Sequence, residues 1–285
     1  MGEQRTTTPA AAVAADAASK VLCVDIGNTS AHCGVLEFPA ATGTGVPRLV
    51  AGSGANIATA ALTDAVGARV RRALGEDGID GVSFCSVVPA ATDALRAALA
   101  EFPTLRVHHL NHANCPGLGI HYPNPSEIGQ DRLANCVGAQ VLAGAPAVVV
   151  DMGTAVTFDI LTAAGYEGGV IAPGLGVMTR YLHEQTALLP VLDPSDLLVS
   201  AGVGKTTLDA MRLGCAVGFA GMIGALLETV LAEMRKWGAA PPALLATGGT
   251  AGALPKAWAE RIRWVPELTL LGLAESFRRT EAAVG

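Results

Sequence analysis

Short apolar runs, each ending at a polar residue or a glycine, recur along the chain and predict buried β-strands. They cover residues 21–26, 82–88, 147–150 and 244–246. Between them, apolar residues spaced three and four apart over 133–141 and 226–234 predict amphipathic helices. The segment 39–54, rich in Gly, Pro and Thr, is expected to be a surface loop. Strands that alternate with helices predict an α/β protein with a mostly parallel central sheet.

One short pattern occurs twice, about half the chain apart. The first predicted strand ends in DIGNT, starting at Asp25, and a later strand ends in DMGT, starting at Asp151. After the second copy, apolar residues at 156, 158 and 160 alternate with polar ones, the period of a half-buried returning strand. The repeat predicts two similar lobes, each opening with a strand, an Asp-x-Gly turn and a second strand.

Both turns carry residues that suit a phosphate. Glycine lets backbone N–H groups approach a phosphate closely, a threonine hydroxyl adds a hydrogen bond, and the aspartate can hold a hydrated cation. Either turn alone is equally explained as an ordinary hairpin in which the aspartate caps its own backbone. Two copies, each after an apolar strand, favour a pair of turns that grip the β- and γ-phosphates of a nucleotide.

Two further motifs each allow two interpretations. Thr247-Gly248-Gly249 follows a predicted strand, and it could hold an adenine or a ribose or be a plain strand-to-helix turn. Gly129-Gln130-Asp131-Arg132 places a carboxylate and a guanidinium at a helix start. Asp131 could accept a proton from an attacking hydroxyl, or it could only cap the helix. Without further context the cap is the simpler interpretation.

Composition narrows the class of protein. Over 285 residues the formal net charge is −6, and no basic block marks a nucleic-acid surface. The longest uncharged apolar run, 213–227, is too short for a membrane span and predicts a buried helix. Residues 1–20 lack the apolar core of a signal peptide and are expected to form a disordered tail. The six scattered cysteines are therefore expected to be reduced thiols in a cytoplasmic protein.

The ordered set of motifs resembles type III pantothenate kinase, from about residue 21 to about 277. The matching stretches are DIGNT at 25, SVVP at 86, YPNPSEIGQDR at 122, DMGTAVTFD at 151, GGVIAPG at 168, TALLP at 186, VGKTTLDAMRLG at 203, TGG at 247 and LTLLGL at 268. Each motif alone is weak, whereas their order and spacing are specific. Gln130 stands where the family often has a small residue, and Thr206 where asparagine is common.

The resemblance implies a fold and a reaction. The fold consists of two duplicated ribonuclease-H-like lobes of the actin, sugar-kinase and heat-shock-chaperone superfamily, with nucleotide between them. The lobes are expected at 21–140 and 141–285, after the tail at 1–20. The implied reaction transfers the γ-phosphate of ATP, with Mg²⁺, to the primary hydroxyl of pantothenate in coenzyme A synthesis. A homodimer is also implied, which agrees with the apolar, glycine-rich stretch 168–176 and the apolar residues at 178, 181 and 182.

The resemblance also assigns residues to roles. Asp151 is expected to hold a monovalent cation, potassium or ammonium, and Asp131 to accept the proton. The ATP-binding residues are expected to be Asp25, Ile26, Gly27, Asn28, Thr29, Ser30, Ala31, His32 and Thr154. Pantothenate is expected to contact Tyr122, Gly129, Gln130, Asp131, Arg132 and Thr207.

Two other functions stay open at this point. Some relatives are described as non-catalytic accessory factors for transcription, and a degenerate member is expected to lose some of the chemical residues. Asp25, Asp131, Arg132, Asp151 and Thr207 are all present, which favours the kinase. A related sugar or acetate kinase is the third possibility, against which the GQDR segment argues.

Overall fold

The fold was analysed in a computed structural model that describes residues 19–39, 45–197, 202–250 and 256–282. Of the expected tail at 1–20, only the last two residues fall within these ranges, and Lys20 already begins the first strand. The expectation for residues 1–18 lies outside the described residues.

The first sheet forms from the amino-terminal part of the chain. Its strands are β1 (Lys20–Ile26), β2 (Ser30–Glu37), β3 (Arg48–Leu49), β4 (Ala55–Ala58), β5 (Gly81–Ser86) and β6 (Arg106–His109). They lie in the order β3-β2-β1-β5-β6, and β4 pairs with β2 beside β3. β1 is antiparallel to β2 and parallel to β5.

The second sheet repeats this plan. Its strands are β7 (Ala147–Met152), β8 (Ala155–Leu161), β9 (Tyr166–Pro173), β10 (Ala243–Thr247) and β11 (Arg263–Trp264), in the order β11-β10-β7-β8-β9. β7 is antiparallel to β8 and parallel to β10. Because β1 and β7 occupy equivalent places, the duplication predicted from the two Asp-x-Gly turns is present in the topology.

Seven helices of the described residues cover the sheets. They are α1 (Leu62–Arg72), α2 (Pro89–Leu99), α3 (Gln130–Ala143), α4 (Leu175–Glu184), α5 (Thr207–Lys236), α6 (Lys256–Ala259) and α7 (Leu268–Ala282). α3 packs against β7 and β8, and α7 packs against β1, β2 and β5. One buried cluster joins α3 and α7 to both sheets, so this helix pair forms the centre of the molecule.

The four predicted strands are present, with ends that differ from the prediction by at most two residues. The helix predicted over 133–141 is α3, which begins three residues earlier and ends two residues later, whereas the helix predicted over 226–234 is only the last third of the much longer α5. Two expectations were wrong in detail. The segment 39–54 contributes β3 to the sheet edge rather than being loop throughout, although 40–44 lie outside the described residues. β8 is not half-buried, because Asp159 on its polar face has no exposed surface. The lobe boundary expected between 140 and 141 falls within α3 and stays a prediction.

α5 is, among the described helices, the one long and apolar enough to cross a membrane by length and composition. One of its faces is buried in the core of the second lobe through Cys215, Phe219, Ile223 and Leu227. A helix with one face in a protein core and apolar residues elsewhere satisfies the same test without a membrane, so this helix is weak evidence for a span.

Candidate active site

A cleft of about 440 Å³ lies where the two sheets face each other. The carboxyl ends of β1 and β7 both lie at this cleft. The start of α3 closes one side, and the Thr247–Gly249 turn after β10 closes another. The predicted site residues that line the cleft are Asp25, Gly27, Asn28, Thr29, Ser30, His32, Asp131, Asp151 and Thr154. The structure thus brings both Asp-x-Gly turns and the predicted base to one cavity.

The two turns touch each other across the cleft. The Thr29 and Thr154 hydroxyl oxygens are 3.1 Å apart, at hydrogen-bond distance. The Gly27 and Gly153 N–H groups donate to carbonyl oxygens of their own turns, each at 3.1 Å. The backbone N–H groups of these two glycines are therefore already hydrogen-bonded within their turns. The groups that meet between the lobes are the two threonine hydroxyls.

Asp25 is held by a thiol from the neighbouring strand. Cys85 stands opposite Asp25 in the parallel β1–β5 register, and its Sγ donates to Asp25 Oδ1 at 3.2 Å. Loss of water around the carboxyl group, with the charge of Asp131 next, raises the pKa of Asp25 to about 8. The Cys85 hydrogen bond opposes this rise. A carboxyl group in such a place favours the neutral form unless a cation approaches.

Asp151 is oriented by a chain of two side chains. The Thr269 hydroxyl on α7 donates to Asn135 Oδ1 at 2.8 Å, and Asn135 Nδ2 donates to Asp151 Oδ2 at 3.1 Å. Burial raises the pKa of Asp151 to about 6, against the Asn135 hydrogen bond. Gly248 lies so close that a Cβ there would stand 2.7 Å from Asp151 Oδ1, and its φ of +91° also requires glycine.

Asp131 occupies the first turn of α3 and faces the cleft. Its Oδ1 accepts a hydrogen bond from the Arg132 N–H at 2.9 Å, and the same N–H also donates to the carbonyl of Gly129, the N-cap residue, at 3.1 Å. Burial raises its pKa, and the Arg132 N–H opposes the rise. A Cβ on Gly129 would stand 2.5 Å from Asp131 Oδ1, so this glycine makes room for the carboxylate. The geometry is compatible with both roles considered for Asp131.

Arg132 has a buried partner that sequence reasoning missed. Its Nε donates to Asp159 Oδ1 at 2.5 Å, and its Nη2 donates to the Phe158 carbonyl at 3.1 Å. The Arg132 guanidinium also lies 5.7 Å from the Tyr166 ring centroid. The Tyr166 hydroxyl is buried and has no hydrogen-bond partner among the described residues. These buried contacts fix the position of Arg132, the residue that follows Asp131 in α3.

Gln130 ties the same helix start to the first sheet. Its Oε1 accepts a hydrogen bond from the Ser86 N–H at 2.8 Å and lies 2.9 Å from His109 Nε2. His109 in turn stacks on Phe84, with ring centroids 4.5 Å apart. The side chain that departs from the family pattern therefore has a structural partner on β5 and another on β6.

The remaining predicted residues lie around the cleft rather than in its lining. Ile26 and Ala31 are fully buried beneath the first turn. Tyr122 precedes α3 and lies against Tyr166, with ring centroids 6.1 Å apart. Thr207 is exposed at the start of α5 and is absent from the described lining of the cleft.

The oxygen donors of the cleft suit a hard cation. Within the described ranges, no three His, Cys, Asp or Glu side chains come close enough to hold a metal ion by themselves. Mg²⁺ in phosphate-transferring sites is commonly held by one or two carboxylates together with substrate phosphates. Asp25 and Asp151 meet this requirement, because both face the cleft beside the two turns.

Comparison with known proteins decides the family. The family model for type III pantothenate kinase matches residues 21–229. A type III pantothenate kinase of Akkermansia muciniphila is 41% identical over 209 residues, covering 73% of this chain and 82% of the relative. One of Koribacter versatilis is 33% identical over 274 residues, covering 92% and 96%. The chain belongs to the type III pantothenate kinase family.

Solved structures confirm the fold. A Campylobacter jejuni protein of the Baf transcriptional activator family has a TM-score of 0.57 at 18% identity, covering 92% of this chain and 99% of that one. A ROK family glucokinase of Streptomyces griseus has a TM-score of 0.54 at 15% identity, covering 91% and 98%. The expected fold, an α/β protein of two duplicated ribonuclease-H-like lobes, is confirmed and is shared with the sugar kinase, whereas identities this low say nothing about activity.

Sequence reasoning missed three side chains that shape this family member's site. Asn135 follows Asp131 by four residues and therefore shares its helix face, a signal that could have found it. Asp159 looked like the polar half of an alternating strand, and its partner Arg132 lies on a distant helix. Cys85 gave no signal, because the residue opposite Asp25 depends on the parallel strand register.

The raised pKa of Asp25 makes stability depend on pH. Its folded pKa of about 8 exceeds the ordinary value of 3.8, so the stabilising contribution of the neutral form is complete below about pH 4. That contribution is lost as the pH rises towards 8. Asn cannot ionise, so without nucleotide we expect Asp25→Asn to melt close to the parent protein at pH 5 and several degrees above it at pH 9.

Thermal unfolding at the two pH values, followed by circular dichroism, measures this difference. The matched control is Asp93→Asn on α2, where the side chain is exposed. A melting-temperature difference for Asp25→Asn that is the same at pH 5 and pH 9 would contradict the assignment.

Proposed function

We propose that this chain is a pantothenate kinase that works at the cleft between the lobes. It transfers the γ-phosphate of ATP to the primary hydroxyl of pantothenate and forms 4'-phosphopantothenate, in coenzyme A biosynthesis. The relatives that carry this name cover most of the chain, and the family implies ATP with a divalent metal. The alternative of a non-catalytic transcription factor is not favoured, because the family match is to kinases and the chemical residues are intact.

One observation carries the proposal for the site. Asp131 lies in the same cleft as Asp25 and Asp151, at the start of the helix whose next residue is Arg132. The two threonine-bearing turns grip the phosphates, and the helix start presents the acceptor hydroxyl. The Asp131 carboxylate accepts the proton of that hydroxyl as the oxygen attacks phosphorus, and burial makes it a stronger base than an exposed aspartate.

We assign the other predicted residues by their position relative to Asp131. Tyr122, Gly129, Gln130 and Arg132 surround the helix start and form the pantothenate side, while the turn from Asp25 to His32 and Thr154 form the ATP side. Asp25 would hold Mg²⁺ together with the phosphates, and the bound ion would neutralise part of the phosphate charge. The direct test is ADP formation by the purified protein in a coupled assay with and without pantothenate; turnover that does not depend on pantothenate contradicts the function.

The variant Asp131→Asn distinguishes a role of Asp131 as the catalytic base from a role as a helix cap. Asn is nearly as good a residue as Asp at a helix start, so stability should change little. Loss of a positioned base typically lowers turnover by about 10²-fold or more. We therefore expect kcat with saturating pantothenate to fall by at least that factor.

Two controls accompany Asp131→Asn. The melting temperature and the dissociation constant for ATP should both stay close to those of the parent protein. If kcat stays within a few-fold of the parent value, Asp131 acts as a cap and the base lies elsewhere, with Asp25 the next candidate.

We also propose that Asp151 holds a monovalent cation next to the nucleotide phosphates. A carboxylate facing phosphates produces repulsion that a cation between them relieves. Activity should rise several-fold when potassium or ammonium replaces sodium at constant ionic strength. In Asp151→Asn, the ratio between the rates in potassium and in sodium should fall to about one. Equal rates of the parent enzyme in the three salts would remove the basis for this site.

A homodimer is the third proposal, and exposed apolar side chains of the second lobe support it. Ile171 on β9, Tyr181 on α4 and Val217 on α5 are 67%, 61% and 60% exposed. Apolar surface of this kind is usually covered, and two-fold dimers are the commonest way to cover it. Light scattering at micromolar concentration should give twice the chain mass of 28.8 kDa.

Val217→Glu should shift the mass towards that of one chain by placing a charge in the interface. Val107→Glu is the matched control, because Val107 is 46% exposed on β6 of the other lobe. A parent protein that scatters as a single chain would contradict the dimer.

We further propose a cytoplasmic location, which the six free cysteines support, since reducing compartments keep thiols unpaired. That the chain binds neither nucleic acid nor a membrane stays a prediction from its charge and hydropathy.

A further inference from the structure

The cleft extends past the two turns to an exposed indole. Trp264 lies on β11, the edge strand of the second sheet, and is 44% exposed. It lines the same cleft as Gly248, Gly249 and Pro266. No role was predicted for this side chain, and a large aromatic side chain exposed inside a cleft calls for a ligand that covers it.

Strand registers place this indole relative to the phosphate side of the cleft. Asp151 pairs with Thr247 across β7 and β10, and Ala246 pairs with Trp264 across β10 and β11. Neighbouring strands are about 4.8 Å apart, so β11 lies about 10 Å from β7 along the sheet. In a nucleotide, the ribose lies between the phosphates and the base, so the base is also some distance from the phosphates. Phosphates at the Asp151 turn therefore direct the base towards β11.

The turn between these two positions leaves space for a flat group. Among the described residues, a Cβ built on Gly249 has no neighbour within 4 Å, so none of their side chains fills that part of the cleft. The Thr247 hydroxyl beside it is already engaged, since it donates to the Pro266 carbonyl at 3.2 Å. The open glycine turn and the indole together form one end of the cleft.

We propose that Trp264 binds the adenine base of ATP by stacking, at the end of the cleft formed with Gly248 and Gly249. This inference rests on the proposed function for the identity of the nucleotide. Stacking of a base on an aromatic side chain is strong enough to matter for affinity. The triphosphate group is held independently by the two Asp-x-Gly turns.

Two variants and a base-free competitor test the proposal. Trp264→Ala should raise the KM for ATP roughly 5- to 150-fold, the range that the loss of one stacked base implies. Its kcat at saturating ATP and its KM for pantothenate should stay unchanged. Trp264→Phe keeps an aromatic face, so its KM for ATP should stay within a few-fold of the parent value. Tripolyphosphate, which has no base, should inhibit all three proteins equally.

Fluorescence supplies a readout that does not require turnover. A non-hydrolysable ATP analogue should change the tryptophan emission of the parent protein, and Trp264→Phe should lose that change. The matched control is Trp237→Ala, because Trp237 is 48% exposed at the end of α5 and lines a separate cavity with Pro146 and Thr162. This control should keep both the emission change and the KM for ATP.

Two results would overturn the proposal: an unchanged KM for ATP in Trp264→Ala, or an equal weakening of ATP and tripolyphosphate, which indicates a distorted cleft. Failure of the proposed function has a different signature. The parent protein would then show no pantothenate-dependent turnover, while the nucleotide analogue still changed its emission through Trp264.

Discussion

The burial of three neighbouring carboxyl groups, those of Asp25, Asp131 and Asp151, is the constraint around which the cleft is organised. All three carboxyl groups are partly withdrawn from water, and the charge of Asp131 raises the pKa of both of the others. Such an arrangement opposes folding unless the groups are hydrogen-bonded, protonated or close to a cation. Within the described residues, Asp25 accepts a hydrogen bond from Cys85, Asp131 from the Arg132 N–H and Asp151 from Asn135. The cation that phosphate transfer requires can relieve the rest.

The first turns of α3 hold this arrangement in place by contacting both lobes. Gln130 accepts the Ser86 N–H of β5, Arg132 pairs with Asp159 of β8, and Asn135 donates to Asp151 of β7. Asp131 stands between these three anchors. A short helical segment therefore fixes the distance between the carboxyl groups. The close packing of α3 with α7 in the central core keeps that segment rigid.

Fold and activity rest on different evidence in this protein. Proteins with different functions share this two-lobed fold, including the glucokinase and the Baf family protein at 15% and 18% identity. The proposed site lies at the carboxyl ends of the strands, where this architecture brings loops from both lobes together. The motif order along the chain, and not the shape of the lobes, separates this family from the sugar kinases.

Local patterns in the sequence were sufficient to predict the strands, the repeat that indicates two lobes, and most of the residues that line the cleft. Apolar runs and Asp-x-Gly turns act over a few residues, so their consequences can be read without the fold. The partners of those residues could not be read in this way. Cys85 meets Asp25 only through the β1–β5 register, and Asp159 meets Arg132 only because α3 packs on β8. Trp264 lines the cleft between the lobes because β11 is placed at the sheet edge beside β10. Contacts between segments that are far apart in the sequence depend on how sheets and helices pack, so only the tertiary structure determined them.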